Sequence, residues 1–147
     1  MPLSACADRF TLEVTHPHYE IERAPLQTLL REVAANEPAS IHHVTVILAD
    51  RDTVLELNRR YLEHDYPTDV LSFPLHDGPN ADVEGEIYVD LDTAAERHNE
   101  FDTSFEAEVH RYVVHGLLHL LGYDDKSSAE QTAMRARENH HLDRATR

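Results

Sequence analysis

The sequence predicts an α+β fold, a single domain in which a small four-stranded mixed sheet is packed by about five helices. The chain of 147 residues is long enough to bury one hydrophobic core. Apolar residues alternate or cluster along four short segments, as in strands, and recur at helical spacing along five others. Because the predicted strands and helices do not alternate strictly, we expect one small sheet rather than a regular repeat of strand and helix.

The first half of the chain predicts strand, helix, strand and helix, at residues 10–14, 21–35, 43–48 and 51–63. In the first strand, apolar residues starting at Phe10 occupy every second position. The first helix has apolar residues three or four positions apart, which gives it one buried face. The second strand is a β-branched run of the kind found in buried strands. Asp50 is placed to cap the second helix.

The second half predicts two strands and three helices, at residues 70–73, 84–90, 92–99 and 103–121 and from residue 127 onward. A loop at residues 77–82 contains glycine, proline and asparagine and is expected to be exposed. Asp92 is predicted to cap the short helix that follows the last strand. The last two helices begin with capping-box patterns, which start at Thr103 and Ser127.

The composition is that of a globular protein with an acidic surface. No apolar run approaches the roughly 20 residues that span a bilayer. The N-terminus lacks the pattern of a signal peptide, and a single cysteine, Cys6, cannot form an internal disulfide, so we expect a cytoplasmic protein. The net charge of −15 would normally argue against a nucleic-acid partner. High genomic GC content or adaptation to salt would also explain the composition, so net charge does not decide the substrate.

One segment near the end of the chain, HGLLHLLGYDD, carries most of the functional information. His115 and His119 are four residues apart, which places them on one helix face about 5–6 Å from each other. Gly122 can adopt the left-handed conformation that ends a helix, so Asp124 or Asp125 can turn back to supply an oxygen ligand. Three protein ligands leave one position for water, as in catalytic zinc sites. The pattern therefore predicts a metal site at a helix end.

The same segment separates this site from those of zinc peptidases. In the His-Glu-x-x-His peptidases, the glutamate beside the first histidine is the general base. Gly116 occupies that position here. The spacing resembles the long zinc motif of the metzincins, but the proteolytic base is absent. A peptidase is therefore disfavoured.

A second segment, LNRRYLEHDYPTDVLSFP, combines an arginine-bearing helix end, a polar turn and a strand. By itself it is typical of an ordinary helix–strand connection. Together with the histidine segment, however, it resembles the YbeY endoribonuclease family of bacterial ribosomal-RNA maturation factors. Three hallmarks of that family, PTDVLSFP, a Gly-(Asp/Glu)-Ile strand and HGxLHLxGYDH, correspond in order to residues 67–74, 85–87 and 115–125.

The resemblance implies a zinc-dependent endoribonuclease that cleaves single-stranded RNA, acts at the 3′ end of 16S ribosomal RNA and takes part in ribosome quality control. It implies one Zn²⁺ per chain, held by His115, His119 and Asp125, with the small ribosomal subunit as partner. Asp125 stands where the family usually has histidine, and carboxylate is an acceptable zinc ligand. Leu62 stands where the family usually has an arginine implicated in RNA handling, and Arg59 lies on nearly the same helical face as a candidate replacement.

Two arginines are candidates for a catalytic role at the phosphate, Arg59 and Arg111. Arg111 precedes His115 by one turn on the same helix face, and it could equally pair with a surface acid. Arginine binds phosphate bidentately and stabilises charge that develops there. Two other functions stay open: a non-catalytic ribosome assembly factor with a stabilising metal, and a metal-dependent hydrolase of a non-RNA substrate.

Overall fold

The computed structural model describes residues 9–62, 69–76 and 82–145. Within these residues the elements are β1 (Phe10–Val14), α1 (Arg23–Asn36), β2 (Ile41–Ala49), α2 (Arg51–Leu62), β3 (Val70–Pro74), β4 (Val83–Asp90), α3 (Leu91–Arg97), a 3₁₀ helix (His98–Phe101), α4 (Phe105–Leu120) and α5 (Ser128–Ala145). The predicted α+β class, with a four-stranded mixed sheet and five helices, is confirmed. Most of the loop predicted at residues 77–82 lies outside the described residues, as does the polar turn before β3.

The sheet has the strand order β1-β2-β4-β3. The first three strands are parallel, and β3 runs antiparallel to β4 at the edge of the sheet. Long connections are needed between parallel strands, and helices α1 and α2 lie in those connections. No helix of the described residues is long and apolar enough to cross a membrane.

The two faces of the sheet carry different helices. Because side chains alternate along a strand, β2 contributes Val46 and Leu48 to one apolar cluster and Ile47 to another. The larger cluster also contains the buried residues of α1 and α4. The smaller cluster contains Val54 from α2. Helices α2 and α4 therefore pack on opposite faces of the sheet.

Gly116 allows α4 to approach the sheet closely. A Cβ atom at this position would lie 2.7 Å from Ile87 Cγ2 and 2.9 Å from Val70 Cγ2. At the same contact, Ser72 Oγ donates a hydrogen bond of 2.8 Å to the Gly116 carbonyl oxygen. Gly116, which stands where the zinc peptidases have their glutamate base, is thus required by the packing of α4 on the sheet.

Two of the predicted helix caps are confirmed. Asp50 Oδ1 accepts a hydrogen bond of 3.1 Å from the Thr53 backbone N–H at the start of α2. At the start of α5, Ser127 and Glu130 form the reciprocal pair of a capping box.

The other two caps lie at different residues from those predicted. Asp90, rather than Asp92, caps α3 and accepts bonds from the backbone N–H and the hydroxyl of Thr93. Because α3 follows β4 without an intervening loop, the cap is the last strand residue. Ser104, rather than Thr103, caps α4 through a bond from the Ala107 N–H.

Candidate metal centre and adjoining cleft

Helix α4 ends in a turn that directs the chain back toward its own last two turns. Gly122 has a φ of 107°, as the sequence predicted. The Tyr123 N–H donates to the Leu118 carbonyl oxygen at 3.0 Å, and the Gly122 N–H donates to that of His119 at 3.1 Å. These bonds satisfy carbonyl groups that the helix end would otherwise leave unpaired. The turn returns Asp125 to the exposed ends of the two histidines.

His115, His119 and Asp125 converge in the manner of a three-ligand metal site. The two Nε2 atoms are 3.1 Å apart, and Asp125 oxygens lie 3.3 Å from His115 Nε2 and 3.5 Å from His119 Nε2. Tetrahedral ligands about 2.0–2.1 Å from zinc are separated by about 3.3 Å, so these distances suit such a site. Among the described residues, these three form the one group with the spacing of metal ligands. Asp124, the alternative third ligand, is exposed and outside the group.

Glu138 on α5 orients the first of these histidines. Its Oε2 atom lies 2.7 Å from His115 Nδ1 and its side chain is 6% exposed. Since a carboxylate only accepts, Nδ1 donates the proton and leaves the Nε2 lone pair directed toward Asp125 and His119. Carboxylate partners of this kind are typical of histidines that bind zinc.

The His115–Glu138 contact shifts the pKa values of both groups. Burial disfavours the charged form of His115, but the hydrogen bond and the negative charge of Glu138 outweigh it and raise the pKa of His115. Burial likewise favours protonation of Glu138, yet hydrogen bonds from His115 and Arg111 lower its pKa. Without a metal, the pair therefore favours a proton on His115 and a carboxylate at Glu138.

Arg111 reaches the same carboxylate as His115. Its Nη1 donates to Glu138 Oε1 at 2.9 Å, and its Nη2 donates to Asn139 Oδ1 at 2.8 Å. The sequence left open whether Arg111 binds phosphate or pairs with a surface acid. In the structure its partner is an almost fully buried acid next to the metal site, and Arg111 also lines the cleft beside His115.

Arg59 is placed differently. It is exposed near the end of α2, on the opposite face of the sheet from α4. Among the described residues that line the cleft beside His115, Arg111 is present and Arg59 is not. The side chain of Leu62 lies outside the described residues, so the comparison of these two positions stays at the level of the sequence.

A cleft of about 450 Å³ opens beside the metal ligands. Its walls come from α3, α4, α5, the turn between α4 and α5, and the segments that precede α4 and β3. The described lining residues are Asp69, Arg97, Thr103, Glu108, Arg111, Tyr112, His115, Asp125, Gln131, Met134, Arg135 and Glu138. Three of these residues, Arg111, His115 and Asp125, were predicted from the sequence as site residues.

Tyr112 and Glu108 form a buried part of the cleft wall. Each is 5% exposed. Burial, followed by the nearby charge of Glu108, raises the pKa of the Tyr112 phenol, which therefore stays protonated at neutral pH.

Known proteins resemble this chain along most of its length. The sequence pattern of the family described as Endoribonuclease YbeY matches residues 11–146. A protein named Endoribonuclease YbeY from Salinibacter ruber is 52% identical over 139 residues, covering 90% of this chain and 88% of that protein. The protein of the same name from Chlorobaculum tepidum is 36% identical over 122 residues, covering 83% and 88%.

A solved structure has a similar fold. The solution structure of a Thermotoga maritima protein superposes with a TM-score of 0.61 at 29% sequence identity, and the match covers 92% of this chain and 88% of that one. The two histidines, the turn with its carboxylate and the matched span of residues 11–146 thus have one common explanation. The chain belongs to the YbeY endoribonuclease family.

Proposed function

We propose that residues 1–147 form one zinc-dependent endoribonuclease domain that cleaves single-stranded RNA, matures the 3′ end of 16S ribosomal RNA and acts in ribosome quality control. The relatives are named endoribonucleases, which supports RNA as the substrate. We further propose that the domain meets its RNA on the small ribosomal subunit, in the cytoplasm.

The observation that carries this proposal is the three-ligand arrangement of His115, His119 and Asp125. The separations between their ligand atoms, 3.1 to 3.5 Å, fit a single tetrahedral ion. A bound zinc with an open fourth position supplies an activated water or polarises a phosphoryl oxygen. Because His115 and Asp125 line the cleft, a phosphate bound in the cleft would lie beside the metal ligands.

The surrounding residues have separate roles in this proposal. Glu138 fixes the orientation of His115, and Gly122 sets the turn that delivers Asp125. Arg111 is the candidate for stabilising negative charge on the phosphate, since it lines the cleft and is already oriented by Glu138. Arg59 would act only if bound RNA extends around the sheet edge to α2.

The rival function of a non-catalytic assembly factor would be favoured by a metal enclosed by four protein ligands. The described residues supply three ligands, which favours catalysis. A hydrolase of non-RNA substrates would be favoured by a cleft without cationic side chains. The described lining includes three arginines.

The direct test is a cleavage assay on single-stranded and double-stranded RNA of the same sequence. We expect the zinc-loaded protein to cleave the single strand, with the activity lost on chelation and restored by zinc. Cleavage that is unaffected by chelation would reject metal dependence. Binding of RNA without cleavage under any metal would favour the assembly factor.

A further inference from the structure

The cleft beside the metal site is lined by more arginines than the one, Arg111, that was predicted from the sequence. Besides Arg111, it is lined by Arg97 from α3 and Arg135 from α5. In a chain with a net charge of −15, three arginines in one cleft are a local exception. We infer that Arg97 and Arg135 bind the sugar–phosphate backbone of a single-stranded nucleic acid beside the metal centre. This inference rests on the proposed function and names the residues that hold its substrate.

Exposure distinguishes these two arginines from Arg111. The side chains of Arg97 and Arg135 are 45% and 57% exposed, whereas that of Arg111 is 26% exposed and donates to both Glu138 and Asn139. Arg111 is therefore held in place by two hydrogen bonds, whereas about half of the Arg97 and Arg135 side chains is accessible to a ligand.

Each of these two arginines lies close to a carboxylate. Arg97 Nε lies 3.5 Å from Glu100, one turn away on the surface. Arg135 Nη1 lies 3.8 Å from Glu138, whose oxygens are also bonded to His115 and Arg111. The Arg97–Glu100 pair lies on the surface, where such pairs contribute little to stability. Glu138 keeps its bonds to His115 and Arg111 when Arg135 contacts a phosphate instead.

Four carboxylates also line the cleft, but much of their charge is already engaged or buried. Glu108 is 5% exposed. Glu138 is bonded to His115 and Arg111, and Asp125 belongs to the metal group. The fourth carboxylate of the lining is that of Asp69. Loading the site with a divalent cation offsets this negative charge further, so metal is expected to strengthen nucleic-acid binding.

The lining favours contacts to the backbone over contacts to the bases. Bases stack most readily on exposed aromatic rings. Among the described lining residues, Tyr112 is the one tyrosine, phenylalanine or tryptophan, and it is 5% exposed. Binding through arginine and phosphate should therefore depend strongly on salt and weakly on base sequence.

The test measures binding of the zinc-loaded protein to a labelled single-stranded oligodeoxythymidylate of about twelve nucleotides, a typical single-strand site size. This probe has the same phosphate backbone and no 2′-hydroxyl. Affinity is measured at several salt concentrations for the parent and the R97A/R135A double variant. If each arginine neutralises one phosphate, the slope of log affinity against log salt should become shallower by about 1.4. An unchanged slope would overturn the inference.

Two single variants on α2 serve as controls. Arg60 is 62% exposed and pairs with Glu56 on the opposite face of the sheet, so R60A should keep the parent slope. R59A is measured in parallel. A shallower slope for R59A with no change for R97A/R135A would place the nucleic acid on α2 and reject the cleft. Thermal melting of each variant checks that the fold is intact.

RNA cleavage by the same samples separates this inference from the proposed function. Cleavage by the parent with unchanged binding by R97A/R135A would reject the cleft arginines and leave the endoribonuclease standing. A parent protein that neither binds the single strand nor cleaves RNA would reject both. Reduced binding and reduced cleavage by the double variant, with R60A unchanged, is the result expected.

Discussion

Two clusters of histidine and carboxylate contact neighbouring turns of α5, and they differ in what their histidine nitrogens contact. The metal cluster consists of His115, His119 and Asp125, with Glu138 beside it. The buried cluster consists of His141, three residues after Glu138, with Glu32 and Glu37 from the end of α1. Both use the same residue types, and one of them has the geometry of a metal site.

In the buried cluster, both nitrogens of His141 are already paired. Nδ1 lies 2.6 Å from Glu32 and Nε2 lies 2.6 Å from Glu37, and the ring is 0% exposed. Tyr123, from the turn after α4, donates to the second oxygen of Glu37 at 2.7 Å. This cluster therefore ties α1, α5 and the turn that carries Asp125 together.

In the metal cluster, Nδ1 of His115 is paired with Glu138, but Nε2 faces other ligand atoms. The side chains are 24 to 36% exposed. Two histidine nitrogens and a carboxylate oxygen converge here with the spacing of ligands around a cation. The two clusters contain the same residue types, so residue type alone does not decide their function. They differ in which histidine nitrogens are already paired with carboxylates and in how exposed the side chains are.

The largest expected effect is on stability, from His141→Ala. This change leaves the Glu32 and Glu37 carboxylates without their common partner in a buried site, which typically costs about 3–5 kcal/mol. The measurement is the free energy of unfolding in denaturant. His140→Ala is the matched control, because His140 is the exposed neighbour of His141 and should change stability little. Similar losses in the two variants would contradict a structural role for the buried cluster.

The next largest effect is on metal affinity, from Asp125→Ala. Removing one of three ligands should weaken zinc binding by more than about 100-fold, which exceeds the usual effect of changing a ligand's hydrogen-bond partner. Asp125→His should retain or strengthen binding, since histidine is also a zinc ligand. Zinc titration against a competing chelator measures all three proteins. Asp124→Asn is the control, and an effect there equal to that of Asp125→Ala would show that the wrong aspartate was assigned.

A smaller loss of affinity is expected from Glu138→Gln. The amide keeps the shape of the side chain but holds the His115 Nδ1 proton less strongly, so zinc affinity should fall about 10- to 100-fold. Asn139→Ala changes the next residue of α5 without touching His115 and should bind zinc as the parent does. Parent-like affinity in Glu138→Gln would remove Glu138 from the site.

The smallest expected effect is on thermal stability at acidic pH. Burial favours protonation of Glu32, but hydrogen bonds from His141 and Arg144 outweigh it and lower its pKa below the ordinary 4.5. A group with a lowered pKa contributes stability that is present above the unfolded value and lost as pH falls through the folded value. Melting temperature should therefore drop on acidification below about pH 4.5, and Glu32→Gln should make that drop shallower.

Glu56→Gln provides the comparison for this measurement. Glu56 pairs with Arg60 on the surface of α2, where both side chains are more than half exposed. Its profile against pH should match that of the parent. An acid drop that is the same in Glu32→Gln as in the parent would show that this carboxylate does not couple folding to pH.

The local parts of the fold and of the site were predictable from the sequence. His115, His119 and Gly122 are related by helical spacing and by the φ that glycine permits, so their relation is encoded within eight residues. The capping box at Ser127 was predictable for the same reason. The residues that cap α3 and α4 could not be predicted, because neighbouring positions offered equally suitable side chains.

Contacts between residues that are far apart in the sequence were not predictable. Glu138 is 23 residues from His115, and nothing in the spacing of α5 distinguishes it from the other acidic residues of the chain. The proposal for Arg59 used the helical face of α2 but had no information on which face of the sheet that helix covers. Arg97 and Arg135 join the cleft through tertiary packing alone.

We propose that His115, His119 and Asp125 hold one catalytic metal. The number of zinc ions bound per chain tests this proposal directly. Chelator-treated parent protein and His119→Ala are titrated with zinc, and both are checked for folding by thermal melting. We expect about one zinc bound per chain in the parent, the number that a single tetrahedral site can hold. We also expect loss of that binding in His119→Ala, with the fold retained. A parent that binds no zinc, or a folded His119→Ala variant that binds zinc as the parent does, would contradict the proposal.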